Sequence, residues 1–131
     1  AADFEMPEQG WFFAPHVVAG APHDCGLMAE ESFGPVIGIL PVANDDEAVR
    51  LMNDSPYGLT ASIWTSDPVR AARVGGRVET GTFFMNRCDF LDPALPWTGV
   101  KDTGRGATLS RYGLLQLTQL KSMHLRVELP I

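Results

Sequence analysis

Chemistry in this sequence gathers in two stretches. Glu30 and Glu31 open the run E-E-S-F-G-P-V at residues 30–36, and a glycine cluster, G-V-K-D-T-G-R-G, fills residues 99–106. Neighbouring side chains in extended backbone point to opposite faces, so the two carboxylates cannot act as paired acid and base on one bond. Standing alone, they read as a solvated loop. The glycine cluster matches neither common phosphate cradle. A Walker loop needs Ser or Thr directly after Gly-Lys, whereas Lys101 follows Val100 and precedes Asp102. A dinucleotide fingerprint beginning at Gly104 needs glycine where Leu109 stands.

Nucleophiles and metal ligands are few. Cys25 and Cys88 are the only cysteines and form no C-x-x-C pair, and His16, His23 and His124 are scattered, so zinc-ligand spacing is absent and no metal is expected. His23 and Cys25 are two residues apart, but thiol activation needs spatial contact, and A-P-H-D-C-G reads as a surface loop. Two distant cysteines are not a disulfide framework. Both thiols are therefore expected to be reduced, with a cytosolic location as the default.

Length and charge narrow the partners. The chain has 131 residues, 45% of them hydrophobic and 20% charged, ordinary values for one soluble domain. Sixteen acids against ten bases give a net charge of -6, and no Lys/Arg block offers the electrostatic footprint of a nucleic-acid binder. Apolar runs such as residues 36–43, interrupted by Gly38 and Pro41, are far shorter than the roughly 20 residues of a membrane span. Residues 1–10 lack the basic start and apolar stretch of a secretory signal. Ala1 in place of an initiator Met points to a truncated, cleaved or partly ordered product, or to a removed tag.

The elements that must position these residues alternate in type. Residues 1–26, rich in Gly, Pro and aromatics, read as strands and loops, with extended candidates at 11–14 and 16–19. The apolar run 36–42 has the pattern of a parallel strand covered on both faces. A helix follows, capped by Asn44 with Glu47 in the capping-box position, and Ser55-Pro56 stops it. Residues 60–65 supply a strand, Asp67-Pro68 opens a second helix that Gly75-Gly76 ends, and residues 81–86 form a third strand. This β-α-β-α-β order predicts a parallel sheet with crossover helices. A long loop, 87–106, and a short helix at about 110–117 lead to residues 120–129. There Met123, Leu125, Val127 and Leu129 alternate with polar residues as in a half-buried strand.

Three ordered segments, E-E-S-F-G-P-V at 30–36, Y-G-L-T-A-S-I-W-T at 57–65 and P-W-T-G-V-K-D-T-G-R-G at 96–106, resemble the distal catalytic region of aldehyde dehydrogenases. The likeness spans residues 10–127. In that family an E-x-F-G-P turn meets the nicotinamide half of NAD or NADP. The resemblance therefore assigns Glu31 to the ribose hydroxyls, both of which a carboxylate can accept from, and Phe33 to the same end of the cofactor. The third segment resembles P-F-G-G-x-K-x-S-G-x-G, with Trp97, Thr98 and Thr103 as departures, which implies a backbone role and leaves a side-chain role open. Residues 86–97 correspond to the loop lining the aldehyde entrance, making Arg87, Cys88, Phe90, Leu91 and Trp97 the pocket candidates. Arg87 is either a surface residue or the partner of an acidic substrate tail, as in a succinate-semialdehyde-like enzyme.

No segment before Glu30 matches the family's nucleophilic cysteine, general-base glutamate or glycine-bearing cofactor fold, and no catalytic residue is assigned. The expected fold class is α/β: residues 1–119 as the C-terminal part of the catalytic domain, with its partial parallel sheet, and 120–131 as an oligomerisation strand and tail. The implied reaction of the intact enzyme is cysteine attack on an aldehyde, hydride transfer to nicotinamide, then thioester hydrolysis. Its partners are a small-molecule aldehyde, the remainder of the enzyme chain and a second copy of itself, without nucleic acid or membrane. The isolated chain is expected to be inactive and to bind NAD(P) weakly. The competing reading is a noncatalytic α/β interaction or assembly module, and a G-Q-x-C-like segment upstream would decide between them. The aldehyde's identity and the choice between NAD and NADP are not written in these residues.

Overall fold

The computed structural model describes residue 7 and residues 9–127, and it divides into two compact units, Ala1–Ser55 and Pro56–Ile131. Expectations for residues 1–6, 8 and 128–131, including Glu128 and Leu129 of the terminal strand, lie outside the described residues.

In the first unit, β1 (His16–Ala19) pairs in parallel with β2 (Val36–Ile39), His16 opposite Val36, and the short helix α1 (Gly26–Ala29) lies in the connection between them. Residues 11–14 form no strand, Pro15 interrupting the run before β1. β2 is also less enclosed than its composition suggests, with Ile37 60% and Ile39 50% exposed. Val36 and Gly38 on its other face are half-buried, so β2 is covered on one face and open on the other. Helix α2 (Asp45–Asn53) starts where predicted: Asn44 Oδ1 accepts from Glu47 N–H at 3.0 Å. The reciprocal bond is displaced by one residue, because Glu47 Oε2 accepts from Ala43 N–H at 2.7 Å rather than from Asn44 N–H. Val49 of α2 and Ala21 are the buried apolar residues here.

The second unit holds β3 (Tyr57–Gly58), β4 (Thr60–Ile63), α3 (Pro68–Gly75), β5 (Thr82–Met85), β6 (Trp97–Thr98), β7 (Val100–Lys101), β8 (Ala107–Thr108) and α4 (Ser110–Gln116). β4 and β5 run parallel with α3 as their crossover, while β3 with β7 and β6 with β8 form short antiparallel pairs. Asp67 Oδ1 caps α3 by accepting from Val69 N–H at 2.9 Å and Arg70 N–H at 3.0 Å, and Pro68 fits the first helical position. Ala71 and Val74, three apart, bury one face of α3, and Phe84 of β5 is the third core residue. Gly75 is needed less as a stop than for contact, since a Cβ there would sit 2.6 Å from the Phe83 ring.

The expected parallel pairing is present within each unit, as β1 with β2 in the first and β4 with β5 in the second. Local patterning gave each strand its type, but partner choice depends on contacts far apart in sequence. In residues 120–127 of the single chain the expected strand has no ladder, with Leu125 82% and Val127 97% exposed. An alternating strand without a second strand has no hydrogen-bond partner to fix it. Among the described residues, no helix is long and apolar enough to cross a membrane.

Candidate functional site

The turn at 30–36 is pinned at both ends. Glu30 closes α1 by donating its N–H to the Gly26 carbonyl, and the Pro35 carbonyl accepts from His16 N–H at 2.9 Å, on the threshold of the β1–β2 ladder. Between these anchors, Val36 N–H donates to the Gly34 carbonyl at 2.8 Å, a three-residue turn centred on Pro35. Ser32 Oγ accepts from Gly34 N–H at 3.3 Å. Backbone on either side of Glu31 and Phe33 is thus fixed, while both side chains stand in solvent, Phe33 at 96% exposure. Among the described residues, almost nothing covers that ring. The turn presents an exposed carboxylate and an exposed apolar ring two residues apart, the one able to accept from hydroxyl groups and the other to cover a flat apolar surface.

His23 does not serve Cys25. Its Nε2 lies 3.2 Å from both the carbonyl and Oδ2 of Asp54, tying the loop before α1 to the end of α2. Cys25 is half-buried at the start of α1, and Cys88 is exposed. Among the described residues no group of three or more His, Cys, Asp and Glu side chains could hold a metal ion.

The loop that follows β5 begins with a clamp. Asn86 takes a left-handed φ of 54°, tolerated by asparagine better than by most residues. Its Oδ1 accepts from Thr65 N–H and its Nδ2 donates to the Thr65 carbonyl, both at 2.8 Å. One side chain thereby imitates a β-bridge and extends the β4–β5 ladder by a step. Beyond it, the Arg87 guanidinium lies 3.6 Å over the centre of the Phe90 ring. Cys88 and Leu91 are exposed on the same loop. Trp97 is apart from this group: it sits on β6 and, with Leu59, Thr103, Arg105 and Gln116, lines an open cleft of about 360 Å³ around the glycine cluster.

That cluster is held by side chains as well as backbone. Thr98 Oγ1 donates to the Gly106 carbonyl at 2.6 Å, and Thr103 Oγ1 accepts from Gly58 N–H at 2.8 Å. Thr98 and Thr103, departures from the family pattern, therefore do have side-chain roles. Gly81 passes the segment closely, a Cβ there falling 1.6 Å from the Thr98 carbonyl oxygen. Lys101 Nζ meets Glu79 Oε2 at 2.8 Å, a surface pair. Sequence reading missed the Asn86 clamp and the Thr103 bond. The residue types were suggestive, an Asn ending a strand and a Thr within glycines, but both partners are more than 20 residues away.

A sequence model of the aldehyde dehydrogenase family matches residues 2–123. The chain is 38% identical over 120 residues to an aldehyde dehydrogenase of Paenarthrobacter nicotinovorans, covering 91% of this chain and 26% of that protein. It is 36% identical over 118 residues to succinate-semialdehyde dehydrogenase (NADP+) 1 of Mycobacterium bovis, covering 90% and 26%. The crystal structure of a Mycobacterium tuberculosis aldehyde dehydrogenase complexed with NAD+ superposes with a TM-score of 0.87 at 34% identity, covering 96% of this chain and 26% of that one. The chain spans about a quarter of the length of these relatives.

Proposed function

The chain belongs to the aldehyde dehydrogenase family, and from that premise we propose that it forms the C-terminal part of an enzyme that oxidises an aldehyde to a carboxylic acid with NAD or NADP. In this reading Glu31 and Phe33 hold the nicotinamide-ribose end of the cofactor, which when bound supplies the hydride acceptor. Glu31 accepts hydrogen bonds from the ribose hydroxyls, and Phe33 covers an apolar face beside them. The turn sets where both are aimed, because its ends are fixed to α1 and to the β1–β2 ladder. The loop 86–97 contributes a wall of the aldehyde entrance. The remainder of a longer chain supplies the nucleophile and base and covers apolar residues exposed here, and residues 120–131 join an assembly contact. The 131-residue chain alone does not turn over aldehydes.

The observation that carries this reading is the exposed Glu31–Phe33 pair on a turn pinned at both ends. In the complete enzyme, Glu31→Gln should slow single-turnover formation of NAD(P)H by up to about 100-fold, the cost of misplacing reacting atoms by ~1 Å. Aldehyde binding should change much less. Unaltered single-turnover rates would remove Glu31 from the cofactor site.

A further inference from the structure

Arg87 stands out because its guanidinium meets an aromatic ring and not a carboxylate. Its central carbon lies 3.6 Å over the centre of the Phe90 ring, a contact made by the face of the ion, whose N–H donors lie along its edge. Asp89 and Asp92 are near in sequence, yet among the described residues no carboxylate pairs with Arg87; Asp92 Oδ1 accepts instead from Ala94 N–H at 2.9 Å. Arg87 is exposed, so a ligand can reach those donors. The backbone beneath it is fixed. Asn86 is clamped to Thr65 by two bonds of 2.8 Å, and Asn86 and Asp89, with φ of 54° and 49°, put left-handed bends on either side of Arg87-Cys88.

A stacked guanidinium with a free edge matches the plane of a carboxylate, which it can hold by two parallel N–H···O bonds. The contact with Phe90 offsets part of the side-chain entropy that binding would cost. We infer that Arg87 recognises an anionic group on the substrate, so that this loop selects aldehydes carrying a carboxylate at the end remote from the reacting carbon. The inference rests on the reading that residues 86–97 line the aldehyde entrance. Phe90 is the positioning residue, acting through Arg87.

The test uses the complete enzyme and two four-carbon probes, succinic semialdehyde and butanal. Wild type should prefer the charged aldehyde, and Arg87→Met should lower the ratio of the two kcat/KM values by about 10- to 100-fold, the worth of a hydrogen bond to a charged group. The loss should lie in KM rather than kcat. Arg87→Lys should fall between, keeping charge but not the fork, and Phe90→Leu should raise KM for the charged aldehyde by a smaller factor. Succinate binding, followed by calorimetry in the same variants, gives a readout independent of turnover. An unchanged ratio in Arg87→Met, or no preference in wild type, overturns the site while leaving aldehyde oxidation standing. Succinate binding that depends on Arg87 in an enzyme that oxidises neither aldehyde supports the site and overturns the proposed function.

Discussion

Replacing Thr103 by valine asks how the glycine cluster is held against β3. Thr103 Oγ1 accepts from Gly58 N–H at 2.8 Å, and Gly58 is buried, so valine would leave a buried donor without a partner at nearly constant volume. Such an orphan costs about 1–3 kcal/mol. The site has little room to relax, because a Cβ on Gly99 would already stand 2.5 Å from Thr103 Cγ2. Thr103→Ser is the control: it keeps the hydroxyl and loses one methyl, worth about 0.8 kcal/mol of burial. Amide exchange at Gly58 separates the two effects. Valine should speed it by about 5- to 150-fold, the range that corresponds to the lost bond, and serine should stay closer to wild type. If valine protects Gly58 as well as threonine does, and serine is the weaker of the two variants, packing rather than the hydroxyl holds the segment.

Two other outcomes are expected. Asp67→Ala removes the bonds from Val69 and Arg70 N–H at 2.9 and 3.0 Å, and should cost about 1 kcal/mol at the start of α3, seen as faster exchange of those two amides; Asp67→Asn should retain most of the protection. In the intact enzyme Leu125→Lys, which charges the exposed apolar row of the terminal segment, should dissociate oligomers in light scattering, whereas His124→Lys should not. Both variants keeping the parent mass would show that the segment is not an assembly element.

Local chemistry was legible in the sequence because its partners are near at hand. Asn44 caps α2 three residues away, Asp67 caps α3 two and three residues away, and the β-rich runs around Thr60 and Thr82 became β4 and β5. The three ordered motifs also carried the family, because each keeps its residue types in a short stretch. What the sequence left open is long-range. Composition could not show that β2 would ladder with β1, or that Ile37 and Ile39 would stand exposed on that pair. Nor could it show that Asn86 would bond to Thr65, or Thr103 to Gly58, 45 residues earlier. Those bonds exist only once separate elements are brought side by side. The contact of Arg87 with Phe90 spans only three residues, in the loop that starts at the clamped Asn86. Alternation at 120–129 stated which face is apolar, but a strand needs a second strand to become one, and that partner is not supplied by residues 9–127.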